Sequence, residues 1–438
     1  MGSHAEKQYV VKTVKLFEGL LVGSNLLEST PGATVSLALS VMGNKIKRKF
    51  AIDPITYVYG MDLAYIQSET LERKGAGKGT KKVDLKRSFA KLAQLFGPTI
   101  KACVVDKQRP VRPSDFDDAG LQSLAEATYA YQTNRMCQIW ESDPQFADFA
   151  KDLSTPSFTF APYFYTPYGE SAAWADWHKV NVGLAAKYQR FDGQGHGIVC
   201  VGPKILNSKR DALALTQDYI DTGIGTFWFW FSTLSEEKIP VERLKVLVAV
   251  IDLLREAKKR VYNLHGGFLS ALLSKKGMAG FSHGVGYGES KDVVPVIGVT
   301  VPTVNYHLIP LHVRVPILEI QRALGALNIS DADDFHEKIC GCTVCRGVLN
   351  GDLKNLAQFG DFVLKVGNTR ESQTPDSAKK CRFHFLLARA QEIETVAKGS
   401  SASLKAELES VASEYTSLPT YLGLSSRSSH LRIWNSVL

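Results

Sequence analysis

Three cysteines lie close together in the segment ICGCTVCRG, and this array constrains the fold more than any other feature of the sequence. Cys340, Cys342 and Cys345 form a C-x-C-x-x-C pattern. Thiolates at these short spacings can surround one tetrahedral metal ion, because the turn between them directs successive sulfur atoms inward. The sequence therefore predicts a metal-binding subdomain in the C-terminal quarter of the chain, with zinc as the metal.

A fourth ligand is expected from the segment DSAKKCRFHF, which offers Cys381 and His384. These residues are three positions apart, so they lie on about the same face of a helix that begins near them. We favour His384 and leave Cys381 open. Four protein ligands would close the site and make the zinc structural. Three unliganded cysteines and an iron–sulfur cluster are the alternatives.

Cysteine usage and composition bear on the compartment and the size of the core. The 438 residues include seven cysteines, an odd number with one tight cluster. Together with an N-terminal segment that lacks the features of a secretory signal, this favours a reducing compartment, the cytoplasm. The chain is 45% hydrophobic and 22% charged, which is enough to bury a large core. No apolar run reaches the roughly 18 residues of a membrane span, so no membrane partner is expected.

From about residue 98, short apolar runs alternate with longer stretches of helical period. Strands are predicted at 98–105, 157–165, 196–201, 226–234, 260–264 and 278–283. Helices are predicted at 119–140, 174–188, 208–222, 241–259 and 267–275. Earlier, 34–39 and 50–59 are rich in β-forming residues. The alternation favours a parallel sheet with helical crossovers, and a closed (β/α)8 TIM-like barrel fits better than an open sheet, since no dinucleotide fingerprint is present.

The predicted organisation has three parts. The (β/α) barrel occupies 8–328, the zinc-binding subdomain 329–398, and a helix with a polar tail 399–438. The aromatic run 227–231 is interpreted as barrel core rather than as a stacking platform.

A basic segment interrupts the N-terminal part of the chain. Residues 70–91 are rich in cations around three glycines, among them Lys74, Lys78, Lys81, Lys82, Lys86 and Arg87. The segment is either a solvated surface loop or a mobile grip on a phosphate backbone. The net charge of +8 is compatible with a nucleic acid partner but does not require one.

The cysteine array after a barrel, followed by a ligand at the beginning of an aromatic-rich helix, resembles the tRNA-guanine transglycosylases. Cys340, Cys342 and Cys345 match the three cysteine ligands of that family. The segment FLLARAQEI resembles the helix that follows the family's zinc histidine. A gapless match puts Cys381 at that histidine, while His384 is the chemically conventional ligand one turn away.

Three further segments resemble this family over about residues 45–395. KRKFAIDPITYVYG resembles the strand that ends in the first active-site aspartate, which would be Asp53. FWFWFSTLSEE resembles the strand and loop that contact the base, and VYNLHGGFLSALLSKKGMAGFSHGVGYGE resembles the final two strands. The chain departs from the family at two places. Ser282 and His283 stand where the nucleophilic aspartate is expected, and 163–166 lack the base-recognition aspartate.

The resemblance implies base exchange in a nucleic acid, and the departures point to a divergent branch. One such branch is the DpdA type, which exchanges guanine in DNA for a 7-deazaguanine base. The alternatives are exchange in tRNA and a catalytically silent accessory subunit that works with a partner subunit. The expectation is slightly in favour of DNA, because the motifs of the tRNA enzymes are altered.

Breaking an N-glycosidic bond requires a carboxylate or similar group at the sugar carbon and a proton donor to the leaving base. Asp53 follows an apolar strand and is the first candidate, although an Asx turn before Pro54 would explain it equally well. His283 and Glu289, in SHGVGYGE, are candidates for acid–base and base-reading roles. A glycine turn with an incidental histidine is the alternative there.

Four further residues are predicted to contact the substrate: His265, Gly266, Gly267 and Tyr287. Glycines in this segment let the backbone approach a ligand closely. His265 could equally be a satisfied core histidine. His307 and His312 have an unsuitable spacing for one metal and are interpreted as packing or phosphate contacts.

Overall fold

The computed structural model describes residues 4–42, 48–72, 80–142, 156–286, 288–294, 303–364 and 371–438. The chain divides into two compact units. The first comprises Met1–Thr233, Asp252–Tyr262 and Lys291–Gly298, and the second Leu234–Ile251, Asn263–Ser290 and Val299–Leu438. The predicted domain boundaries at 328 and 398 stay a prediction.

The first unit contains eight α-helices among its described residues: α1 (His4–Lys12), α2 (Ser24–Ser29), α3 (Pro31–Met42), α4 (Arg87–Leu95), α5 (Pro98–Ile100), α6 (Asp118–Glu141), α7 (Trp174–Gln189) and α8 (Lys209–Ile220). Its strands are β1 (Gly19–Gly23), β2 (Lys49–Asp53), β3 (Gln67–Glu72), β4 (Thr80–Leu85), β5 (His196–Val201) and β6 (Thr226–Phe231). Helix α9 (Val241–Glu256) and strand β7 (Arg260–Asn263) contribute residues to both units.

The second unit continues with β8 (Gly280–Phe281), β9 (Tyr306–Leu308), β10 (Val313–Val315), β11 (Phe362–Leu364) and β12 (Glu371–Gln373). Its helices are α10 (Phe268–Leu272), α11 (Ile317–Ala323), α12 (Ala332–Lys338), α13 (Thr343–Leu349), α14 (Pro375–Lys398), α15 (Ser401–Thr416) and α16 (Ser429–Asn435). β9 pairs with β10 and β11 with β12, both antiparallel.

The fold is mixed α/β and contains a four-stranded parallel sheet in the order β5-β6-β7-β8. Every residue of β6, TFWFWF, is buried, as expected for a parallel strand covered on both faces. A separate parallel pair joins β1 to β2, with Gly23 opposite Asp53. The strands of the sheet confirm the predictions at 196–201, 226–234, 260–264 and 278–283.

The segment around residues 157–166 runs beside both parallel elements, although most of it is not assigned as a strand. It forms parallel bridges from Phe160 to His196 and from Thr166 to Val201. On its other side, the amide of Ser157 donates to the carbonyl of Phe50 at 2.7 Å. The strand predicted at 157–165 is therefore confirmed only as isolated bridges.

Two predictions from local composition are wrong. Residues 34–39 belong to α3, where Val35, Ala38 and Val41 are buried on one side, so the helical face outweighs the β-branched content. Residues 98–105 form α5 and a π-helical turn, Lys101–Asp106. A short apolar run does not distinguish a strand from a buried helix.

The helices predicted at 119–140, 174–188, 208–222 and 241–259 are confirmed as α6, α7, α8 and α9. Ser208 begins α8 by accepting a hydrogen bond from the amide of Asp211 at 3.2 Å, as expected at an N-cap. Within the described residues, no helix combines the length and apolar character that crossing a bilayer requires.

Candidate metal centre and ligand cavity

The cysteine array folds into a turn that begins helix α13. Cys342 is the N-cap of this helix, and its sulfur accepts a hydrogen bond from the amide of Cys345 at 3.4 Å. The sulfur of Cys340 accepts from the amide of Cys342, also at 3.4 Å. These N–H···S bonds hold the three sulfur atoms on the same side of the turn, as the sequence predicts.

His384 completes the group from helix α14. Its Nδ1 lies 3.7 Å from the sulfur of Cys340, 3.5 Å from Cys342 and 3.4 Å from Cys345. A tetrahedral ion of the size of zinc would separate sulfur from nitrogen by about 3.5 Å, given bonds of about 2.3 and 2.0 Å. The four side chains could therefore hold a metal ion.

Cys381 does not belong to this group. It is buried, and its thiol donates to the carbonyl of Phe359 at 3.2 Å. The alternative left open by the sequence is resolved in favour of His384. Helix α14 begins at Pro375, so His384 lies in its third turn rather than at its beginning.

The neighbouring strand β9 fixes the imidazole. His384 Nε2 lies 2.7 Å from the carbonyl oxygen of His307, so Nε2–H donates and Nδ1 keeps its lone pair for an ion. The ring of Tyr306 stacks on that of His384 with 4.0 Å between centroids. The Tyr306 hydroxyl lies 3.1 Å from the sulfur of Cys345.

A buried charge network continues along the same helix. Arg389 pairs with both Glu289 and Glu392. Glu392 Oε1 also accepts from His307 Nε2 at 2.8 Å and from His312 Nδ1 at 2.7 Å. Burial acts to raise the pKa of Glu392, but Arg389 and the two histidines outweigh it and hold this pKa well below its usual range. His307 and His312 thus have an internal structural role in this charge network. Of the two interpretations from the sequence, packing and phosphate contact, this agrees with packing.

Glu289 is anchored by two arginines. Besides Arg389, Arg314 lies 3.0 Å from its other carboxylate oxygen. Burial acts to raise the pKa of Glu289, yet the two guanidinium groups outweigh it and lower this pKa. Glu289 therefore stays ionised at neutral pH. Its carboxylate is better suited to accept a hydrogen bond from a ligand than to act as a general acid.

A cavity of about 220 Å³ in the second unit brings Glu289 together with residues of four other segments. Its charged lining consists of Glu236, Glu237, Glu289 and Arg314. Phe268, His312 and Trp434 provide aromatic walls, with Gly267 and Gly288 between them. The ends of FWFWFSTLSEE and SHGVGYGE, two segments that carry the family resemblance, therefore line the same cavity.

Glu236 is the most perturbed acid of this cavity. Its carboxylate accepts hydrogen bonds from the amide of Leu269 at 2.9 Å and from the hydroxyl of Ser270 at 2.5 Å. Burial nevertheless raises the pKa of Glu236 to about 7, and the negative charge of Glu289 contributes to this increase to a smaller degree. A carboxyl group that titrates near neutrality inside a cavity is a common feature of functional sites.

The other candidates of the second unit lie around this cavity. His265 Nδ1 lies 3.3 Å from the carbonyl oxygen of Gly288, and Gly266 donates its amide to the carbonyl of Ser282. A Cβ on Gly267 would come within 2.9 Å of Glu236 Oε2 and 3.3 Å of Glu289 Oε1, so a side chain there would displace these carboxylates. Tyr287 lies outside the described residues.

His283 is half-buried, and its ring packs edge-on against Phe385 at 5.2 Å. Its Nδ1 lies 2.9 Å from the carbonyl oxygen of Gly284. Burial lowers the pKa of His283 to about 4. The imidazole is thus neutral at pH 7. It could accept a proton, but it is not an imidazolium that could act as a general acid.

Asp53 belongs to the first unit and lies at the carboxyl end of β2. Its Oδ1 accepts from the amide of Ile55 at 2.9 Å, which is the Asx turn considered from the sequence. It also accepts from the hydroxyl of Tyr163 at 3.0 Å. Burial raises the pKa of Asp53, although these two donors and the charge of Lys291 act to lower it.

Aromatic rings surround this carboxylate. Tyr57 stacks on Tyr163 with 5.6 Å between centroids and meets Trp230 edge-on at 5.0 Å. The ammonium of Lys291 lies 5.0 Å from the centre of the Trp230 ring. Tyr163 thus occupies the region where the family resemblance expects a second aspartate, and its hydroxyl contacts Asp53.

Sequence reasoning missed Tyr163, Glu236, Arg389 and Glu392. Glu236 and the Arg389–Glu392 pair lie in segments that the resemblance singled out, and the i,i+3 spacing of the latter is a detectable ion-pair signal. No local signal connects Tyr163 with Asp53, which is 110 positions away.

The chain matches no protein-family model, and no curated protein matches it.

Proposed function

We propose that this chain is a base-exchange enzyme of the tRNA-guanine transglycosylase type, which replaces guanine in a nucleic acid with a 7-deazaguanine. The observation that carries the proposal is the position of Asp53, a carboxylate at the carboxyl end of a parallel strand among aromatic side chains. Sites of parallel α/β folds lie at this end of their strands. The metal cluster supports the same family independently.

In the proposed reaction, Asp53 attacks the sugar. A carboxylate oxygen bonds to C1′ while the bond from C1′ to the base nitrogen breaks, and the departing guanine nitrogen takes up a proton from water. The nitrogen of the incoming base then attacks C1′, returns its proton to water and releases Asp53, so the exchange consumes no net proton. Oδ1 accepts hydrogen bonds at 2.9 and 3.0 Å, whereas Oδ2 has only a longer contact of 3.3 Å with the Tyr163 hydroxyl, so Oδ2 is the more available nucleophile. Base recognition by His265, Gly266, Gly267, Tyr287 and Glu289, which belong to the second unit, is a separate part of the proposal.

A closed (β/α)8 barrel is part of the proposal. Its support is the order of neighbouring segments. β1 pairs with β2, 157–166 forms parallel bridges to β5, and β5 is followed in the sheet by β6, β7 and β8. The amide of Ser157 links the third member to β2. Seven segments in this order are what a nearly complete barrel requires.

Zinc is the proposed metal, since three thiolates and one imidazole in a tetrahedral group are its preferred structural ligands. Cys340, Cys342, Cys345 and His384 would hold it. With four protein ligands the ion supplies folding free energy and no chemistry of its own.

DNA is the proposed polymer, and tRNA the alternative. The proposed contact is the basic hairpin of β3 and β4, whose partner would be the phosphate backbone. Lys74 and Lys78 lie outside the described residues, whereas Lys86 follows β4 directly.

The test is exchange of labelled guanine, or of a 7-deazaguanine, into duplex DNA and separately into tRNA. Asp53→Asn keeps the shape and removes the charge, so turnover should fall at least ~100-fold if the carboxylate reacts. Asp62→Asn, at an exposed carboxylate that also accepts an amide N–H, is the matched control. Full turnover in Asp53→Asn would remove Asp53 from the mechanism. Activity on tRNA alone would overturn the assignment to DNA.

A silent accessory subunit is the second candidate. Tyr163, Ser282 and His283 stand where the family has aspartates, and the Asp53 carboxylate is engaged by Tyr163 and Ile55. Nucleic acid binding without exchange on either polymer, together with activation of a separate catalytic subunit, would put this candidate first.

A further inference from the structure

The cavity of the second unit has flat aromatic walls. The rings of Phe268 and His312 stack in parallel, with 3.4 Å between centroids and 9° between planes. The indole of Trp434 lies 5.9 Å from Phe268, and its N–H donates to the carbonyl of Glu236 at 3.0 Å. Walls of this kind favour a planar ligand with an exposed π-face.

The charge of the lining is unbalanced. Three carboxyl groups, Glu236, Glu237 and Glu289, face one guanidinium, that of Arg314. Arg314 already has partners within the protein, since its guanidinium pairs with Glu289 and lies 4.0 Å from the centre of the Phe385 ring. Arg389, behind the lining, is shared between Glu289 and Glu392. An incoming anion would have to break these pairs, whereas a cation would meet more carboxyl groups than guanidinium groups in the lining.

Glu237 offers this charge most directly. Its side chain is exposed at the cavity, and no described residue forms a hydrogen bond or ion pair with it. A carboxylate beside an indole ring can hold a cation by charge while the ring contributes a cation–π interaction. The carboxylate and the aromatic surface thus recognise different parts of the same ligand.

We propose that this cavity binds a flat organic cation, an aromatic ring that carries an amidinium, guanidinium or protonated amino group. The ring lies against Trp434 and Phe268, and the cationic group faces Glu237 and Glu289. Gly267 and Glu289, which the proposed function assigns to base recognition, also line this cavity. The inference rests on the cavity itself and Asp53 takes no part in it, so cation binding and base exchange can succeed or fail separately.

Binding of a cation should also displace a proton. Glu236 faces Glu237, Glu289 and Arg389, with the pKa of its carboxyl group raised by burial to about 7. The other charged or titratable groups around it are His312 and Arg314 in the lining. A cation stabilises the ionised carboxylate and lowers this pKa. Affinity should therefore rise as the pH increases from 6 to 8.

The experiment compares three probes of the same shape by calorimetry on the full chain: benzamidine, benzamide and benzoate. Benzamidine should bind at least ~10-fold more tightly than benzamide, and benzoate most weakly. Repeating the benzamidine titration in buffers of different ionisation enthalpy should reveal proton release near pH 7. Equal affinities for benzamidine and benzamide, tighter binding of benzoate, or no binding of any probe at ~10 mM would overturn the proposal.

Glu237→Gln locates the site, and it should fold normally because the side chain is exposed. Benzamidine affinity should fall at least ~5-fold in this variant. Glu242→Gln is the matched control, since Glu242 is an exposed acid of the same unit that does not line the cavity. Equal affinity in Glu237→Gln and wild type, with unfolding temperatures unchanged, would show that benzamidine binds elsewhere.

Discussion

At the scale of single residues, Asp53, the proposed nucleophile, carries a cost in stability. Burial raises the pKa of its carboxyl group in the folded protein above the usual value of an aspartate, so ionisation disfavours folding. This cost is absent below the pKa of the unfolded chain and complete above the pKa of the folded one. Residues held for function commonly lower stability in this way.

Asp53→Asn should therefore raise the unfolding temperature by a few degrees at pH 7–8, with no gain at about pH 3. The amide oxygen of asparagine can still accept from Ile55 and Tyr163, which preserves the local turn. Thermal unfolding followed by circular dichroism between pH 3 and 8 measures the effect. The exposed control, Asp62→Asn, should not show a gain that grows with pH. A uniform loss of stability in Asp53→Asn would mean that its carboxylate is structural.

At the scale of elements, helix α14 contributes residues both to the cysteine–histidine cluster and to the buried charge network. His384 reaches the cysteine cluster in its third turn, and Arg389 and Glu392 reach the charge network in the next two. Strand β9 contacts both the cluster and the network through His307. The backbone carbonyl of His307 accepts a hydrogen bond from His384, and the imidazole of His307 donates one to Glu392.

Variants can distinguish the proposed metal ligands from Cys381, which lies close to His384 on this helix. His384→Ala and Cys342→Ser should each abolish the expected one equivalent of metal and lower stability, because a structural ion contributes folding free energy directly. Cys381→Ala should retain the full metal content, since that thiol bonds to a backbone carbonyl instead. Elemental analysis of the purified proteins decides it. Metal-free wild type, or loss of metal in Cys381→Ala, would contradict the assignment.

The charge network predicts a large effect of Arg389→Met. Removing this guanidinium leaves Glu289 and Glu392 short of their buried partner, which typically costs about 3–5 kcal/mol. Lys398→Met on the same helix breaks only an exposed pair with Glu394 and should have little effect. Denaturant unfolding compares the two, and similar losses would show that the network contributes little.

Most of what the sequence predicts correctly is local in the chain. Cys340, Cys342 and Cys345 are near neighbours, and the alternating apolar runs yield β5, β6 and the helices after them. The pairs that build the sites span long distances, as with Tyr163 and Asp53 or Arg389 and Glu289, 110 and 100 positions apart. Periodicity carries no information about such pairs, so they require the fold.

At the scale of the whole molecule, the net charge is +8, and the proposed binding of nucleic acid should be sensitive to salt. Replacing Lys81, Lys82 and Lys86 together by Ala should reduce the slope of log affinity against log salt by about 2–3, if each lysine contacts one phosphate. A matched triple variant at exposed lysines elsewhere, Lys245, Lys354 and Lys405, should leave the slope unchanged. Equal slopes in both variants would exclude the hairpin from the interface.

The bond from the indole of Trp434 to the carbonyl of Glu236 has a consequence for how the protein is made. The two residues are 198 positions apart. At translation rates of about 5–20 residues per second, Glu236 is added to the chain roughly 10–40 s before Trp434. During that interval the indole wall of the cavity does not exist, and the ring of Phe268 lacks this neighbour. The second unit is therefore completed only after synthesis has passed Trp434, and a chain truncated before that point would be a substrate for quality control.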